Sequence, residues 1–187
     1  MDTPSRTSPQ IPEHLALVDA SDCAATSALL ADAAEALPVY ARLADTKPPT
    51  LVRAHAGRDV ASCDTALLAL KLDGACPRVE ELPIGYAPAG ARVYALLCTD
   101  GDPGIAAHLL AELGDRCEVR GLRWCGGLAV GDADLLPRIA GCPRMGWARR
   151  RVSEAVDVLL IALLAGESAG ERYVRPSRYA RLTCRPR

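Results

Sequence analysis

Alternating strand-like and helix-like segments predict an α/β fold: a three-layer sandwich built on a five-stranded parallel sheet of order 2-1-3-4-5, with helices on both faces. Three observations carry this expectation. Residues 92–104 run from an apolar strand through the turn Thr99-Asp100-Gly101 into a helix start at Asp102-Pro103, which is one unit of a parallel sheet. Residues 14–20 form a second such run, followed by Leu29, Leu30, Ala33, Ala34 and Leu37 at helical spacing. Near the other end, Val152, Ala155, Val156, Leu159, Leu160, Leu163 and Leu164 recur with helical period and stop at Gly166.

Taken in order, residues 1–12 are rich in Pro, Ser and Thr and are expected to be flexible. Residues 13–170 are expected to form one domain. The first strand spans 14–20, and Ser21 or Asp22 is placed to cap the helix that follows. Pro48-Pro49 breaks the chain before a second strand at 50–54, and residues 64–70 read as a third. Pro83, Gly85, Pro88 and Gly90 leave little room for helix before the fourth strand. Asp102 caps a helix with Pro103 at its first position, its buried stripe is Ile105, Leu109, Leu110 and Leu113, and Gly114 is the expected end. Residues 118–130 read as a fifth strand bent at Gly126-Gly127. The last helix is expected over about 145–164, and residues 171–187 as an Arg-rich tail.

At 187 residues with half of them hydrophobic, the chain has enough apolar surface for one full core. The first twelve residues lack the apolar core of a signal peptide, and no apolar run reaches the ~18 residues of a membrane span. A cytosolic protein without membrane association is therefore expected. The eight cysteines lack the paired close spacing of a zinc site, and a reducing compartment disfavours disulfides. The small net charge of -1 hides an asymmetry: residues 138–187 carry eleven arginines against four acids, and residues 1–137 carry eleven bases against nineteen acids. These arginines are spread over a helix start and the tail without a helix-turn-helix or RNA-binding signature, which speaks against nucleic acid as a partner.

In the order 2-1-3-4-5 the first, third and fourth strands end at a topological switch point, where ligands of open α/β sheets bind. That rule brings together residues 21–27, 71–77 and 98–104. Lys71 ends an apolar strand there, and Cys23, Cys76 and Cys98 fall in or beside the three loops. Cys23 is placed near a helix N-terminus, a position that lowers the pKa of a thiol. His14, His55 and His108 have no partner at a spacing that suggests catalysis.

On residues 64–77, the strand Val93-Tyr94-Ala95-Leu96-Leu97-Cys98, the 118–130 segment with Trp124 and Gly126-Gly127, and the long last helix, the chain resembles the flavodoxin-like fold. More narrowly, it resembles the NAD(P)H-dependent FMN reductases. The resemblance implies an FMN whose phosphate sits with Ser21, Thr26 and Ser27. Its ring would be held by Lys71, Leu72, Asp73 and Gly74 on one side and by Cys98, Thr99 and Asp100 on the other. A hydride would pass from NAD(P)H to the flavin and on to a small-molecule electron acceptor. It also implies a homodimer.

Two features depart from that pattern. Asp22 places a carboxylate beside the phosphate, and a like-charge contact at ~4 Å costs about 1 to 4 kcal/mol. The 71–77 loop lacks an aromatic residue, and Asp100 and Asp102 add negative charge nearby. Three readings follow: an FMN-dependent NAD(P)H oxidoreductase; a cofactor-free flavodoxin-like domain with a structural or protein-interaction role; and a thiol-based redox protein. For Ser21, Thr26, Ser27, Asp100 and Asp102, helix capping and turn formation are the simpler account and are favoured over ligand binding, because Ser and Asp are ordinary caps.

Overall fold

Unbroken aliphatic runs form the inner strands, because a strand covered on both faces has no side on which to place a charge. In a computed structural model, which describes residues 11–54, 57–72 and 81–184, the strands are β1 (His14–Asp19), β2 (Thr50–Ala54), β3 (Thr65–Lys71), β4 (Arg92–Cys98), β5 (Arg123–Val130) and β6 (Gly170–Val174). All neighbours are parallel and the order is 2-1-3-4-5-6. The expected five strands thus keep their order, and a sixth joins beyond the fifth. It comes from the segment read as an Arg-rich tail, which also supplies α6 (Arg178–Thr183).

Alternation along the strands splits the core between the two faces of the sheet. Leu15, Leu17, Leu67, Tyr94 and Leu96 pack under α1 (Ala24–Leu43) and α5 (Arg150–Ala165). Val18, Leu68, Val93 and Leu97 pack against α2 (Gly57–Val60) and α3 (Ala107–Val119). Each Leu or Val buried in this way contributes about 1.5–3 kcal/mol. Among the described residues, no helix is long and apolar enough to cross a membrane.

Several boundaries differ from expectation for local reasons. Asp102 does cap, accepting from the Gly104 N–H at 2.9 Å, but it opens a 3-10 turn at Pro103–Ala106 before α3 begins. Gly114 lies inside α3, where a Cβ would stand 3.0 Å from the Trp124 ring, so this glycine makes room for the indole. The last long helix starts at Arg150, since residues before it form turns, and Gly166 closes it in the left-handed conformation at φ 67°. The bend at Gly126-Gly127 is a β-bulge: Val93 pairs Trp124 while Ala95 pairs Gly127, so β5 holds one extra residue. Gly126 sits at φ 104°, and a Cβ there would lie 2.3 Å from the Gly170 carbonyl oxygen, so β6 can approach only a glycine.

A buried charge cluster joins the two helices of one face. Asp32 in α1 accepts from Arg149 Nη2 at 2.5 Å and from Ser153 Oγ at 3.3 Å, and it also pairs with Arg144. Arg144 pairs in turn with Asp157 of α5 and donates to the Asp32 carbonyl at 2.8 Å. Arg149 donates to the carbonyls of Ala140 and Cys142. Residues 140–149, which follow α4 (Leu136–Ile139), are thereby pinned to α1.

Candidate functional site

The carboxyl ends of β1, β3 and β4 lie side by side, and the described parts of the three loops touch. The Lys71 N–H donates to Ser21 Oγ at 2.8 Å, the Leu72 N–H to the Cys98 carbonyl at 2.8 Å, and Lys71 Nζ lies 3.0 Å from the Asp100 carboxylate. Ser21, Lys71, Leu72, Cys98 and Asp100 are therefore neighbours. Asp73, Gly74 and Cys76 lie outside the described residues.

The loop after β1 is organised by Asp19, a residue that sequence reasoning passed over as a strand end. Its Oδ1 accepts from the Ser21 and Asp22 N–H groups at 3.3 and 3.0 Å, and its Oδ2 from Ser27 Oγ at 2.9 Å. Helix capping falls to neither Ser21 nor Asp22. Cys23 is the N-cap of α1, with its N–H donating to Thr26 Oγ1 at 3.3 Å while that hydroxyl donates to the Cys23 carbonyl at 2.9 Å. The physical reason is competition: the carboxylate of the last residue of β1 outbids a hydroxyl for the N–H groups of the turn. The Asp–x–Ser–Asp spacing was the available signal, since Asp accepts readily from N–H groups two and three residues on. Asp22 is held at φ 44°.

Thr99 is fully buried: its hydroxyl donates to the Asp102 carbonyl at 3.3 Å, and its backbone bonds Val130 and Ala133. Beyond it the loops after β4, β5 and β6 are fused. A Cβ at Gly131 would stand 2.2 Å from the Gly101 carbonyl oxygen and 2.6 Å from Pro103. Asp132, at φ 50°, accepts from Arg175 at 2.9 and 3.0 Å, and Arg181 approaches it at 3.9 Å.

Next to the loop after β1, a cleft of about 410 Å³ opens over the end of β2, lined by Leu17, Asp19, Asp22, Ser27, Leu30, Arg53 and Ala54. Arg53 forms no ion pair with a described residue, so the cleft combines one guanidinium with two carboxylates. Burial, reinforced by the neighbouring Cys23 and Asp19, pushes the Cys98 thiol up to about 12, which keeps it protonated at neutral pH. Among the described residues, no cluster of His, Cys, Asp and Glu has the arrangement of a metal site. Compared with protein-family models, with curated proteins and with solved structures, the chain matches none.

Proposed function

We propose that this chain is a cofactor-free domain of flavodoxin-like topology that works through protein contacts. The observation that carries this reading is the use to which the chain puts its own donors. Ser27 Oγ and two turn N–H groups are bonded to Asp19, the Ser21 hydroxyl accepts from Lys71, Thr26 is tied to Cys23, and the Lys71 ammonium pairs with Asp100. A phosphate entering this loop would have to displace a carboxylate that already accepts three hydrogen bonds, with Asp22 adding a second negative charge beside it. Exposed contact residues are present: Trp147 is 87% exposed beside Met145, on the segment that Arg144 and Arg149 pin to Asp32. Trp, Met and Arg are residue types enriched at protein interfaces, and a pre-ordered loop loses little entropy on binding.

The FMN-dependent NAD(P)H oxidoreductase is the second reading. It is favoured by the meeting of Ser21, Lys71, Leu72, Cys98 and Asp100 at the ends of β1, β3 and β4. The experiment is incubation of the purified protein with excess FMN, gel filtration, and an absorbance spectrum of the protein peak. The interaction reading expects the flavin to be lost. Flavin retained near one equivalent would overturn it in favour of the reductase.

A further inference from the structure

At the opposite end of the molecule α1 and α5 finish side by side, and an apolar groove of about 480 Å³ opens between them and Ile11. Tyr40, Leu43, Ile161 and Leu164 line it, and Leu43 is 77% and Ile161 52% exposed, so the apolar surface is uncovered. The Tyr40 side chain is fixed there, because its phenol donates to the Asp157 carboxylate of α5. An apolar cleft of this size carrying a few polar groups is the usual form of a small-molecule site.

The polar chemistry of the groove has one sign. Among its described walls the single charged side chain is Glu167, whose carboxylate forms no ion pair with a described residue. The backbone beneath that carboxylate is held: the Glu167 N–H donates to the Ala162 carbonyl at 2.9 Å, and the Glu167 carbonyl accepts from the Tyr94 hydroxyl at 2.6 Å. α5 ends at this point with no basic residue in its last turn, and the carbonyls of Leu164 and Ala165 accept no hydrogen bond from a described residue. The negative end of the helix dipole therefore adds to the carboxylate within one turn of chain. Arg42, in the last turn of α1, is exposed and is not a wall of the groove.

We infer that this groove binds a small primary amine with an apolar body, its ammonium on Glu167 and the end of α5, its body against Tyr40, Leu43 and Ile161. An ammonium brings three donors and no acceptor, which suits a carboxylate flanked by open carbonyls; an acid of the same shape would bring like charges together. The inference goes beyond the interaction reading, and its test involves no flavin, so the two fail separately.

Octylamine, octanol and octanoate are titrated into the full chain at neutral pH by calorimetry, with amide chemical shifts recorded alongside. Octylamine, which is protonated there, is expected to saturate, to shift the amides of residues 164–167, and to bind about 10-fold or more tighter than octanol, with octanoate weakest. Glu167→Gln, at an exposed position, leaves circular dichroism unchanged, weakens octylamine about 5-fold and leaves octanol as it was. Leu43→Gln weakens octylamine and octanol alike. Absence of saturation at millimolar octylamine, octanol bound as tightly as the amine, or a Glu167→Gln variant indistinguishable from the parent overturns the proposal. A capped Leu-Lys-Leu peptide that binds more tightly than octylamine overturns the assignment to a small molecule and gives the groove to a protein partner.

Discussion

Replacing Asp32 with alanine removes the acceptor that the buried Arg149 and the half-buried Arg144 share. Asp32 is 3% exposed, and its loss leaves Arg149 with only the carbonyls of Ala140 and Cys142 and leaves Arg144 with Asp157 and a backbone oxygen. Breaking a buried pair from one side costs about 3–5 kcal/mol, because the remaining charge stays out of water without its partner. In a protein of this length each kcal/mol moves Tm by about 2–4 °C, so the variant should melt about 6–20 °C lower. Asp32→Asn, which keeps the volume and one acceptor oxygen, should lose less, on the order of 1.5–3 kcal/mol for a hydrogen bond to a charged group. The assay is urea unfolding of both variants with the slope m compared to the parent, alongside calorimetry. If Asp32→Ala lost less than about 1 kcal/mol at unchanged m, the cluster would not hold residues 140–149 to α1, and the reasoning would fail.

Three further outcomes are expected. Gly126→Ala should destabilise by at least about 2 kcal/mol, since its Cβ meets the Gly170 backbone and φ is positive, whereas Gly141→Ala, with open space around it, should be close to neutral by the same urea titration. Burial first, and the Asp157 carboxylate second, push the Tyr40 phenol up to about 12, above its ordinary value of 10.0. The neutral phenol therefore favours the folded state. That contribution is complete below pH 10 and is lost as pH rises through 12, so the stability gap between the parent and Tyr40→Phe should close over that window. Cys98 should resist alkylation by iodoacetamide in the native protein at pH 8 and react once urea unfolds it, read by mass spectrometry of the tryptic peptide; rapid native labelling would contradict the raised thiol pKa.

The inner strands were legible because burial on both faces demands the aliphatic runs seen at 14–19, 65–71 and 92–98. β6 was not. Gly170-Glu171-Arg172-Tyr173 are exposed at the sheet edge, where charged side chains face water and no apolar run is needed. Asp32 was hidden for a different reason: within an Ala-rich helix it reads as part of a solvated face, and Arg144 and Arg149 lie more than a hundred residues away. At the candidate site, topology correctly brought Ser21, Lys71, Leu72, Cys98 and Asp100 together. That Asp19 accepts from the Ser21 and Asp22 N–H groups and from the Ser27 hydroxyl together depends on turn geometry that residue types alone do not fix.

The fused loops after β4, β5 and β6 divide the carboxyl rim of the sheet into two kinetic regimes. The amides of Thr99, Gly131, Asp132 and Ala133 donate to backbone carbonyls of neighbouring strands and loops, and the Arg175–Asp132 pair lies over them. Those amides can exchange with solvent deuterium only when several loops open at once, which ties their protection to large-scale unfolding. The Ser21 and Asp22 amides are held only by one side chain, so they open locally and exchange early. A molecule that docks at this rim therefore meets one half that yields and one half that does not, and rearrangement on binding is confined to the half around β1.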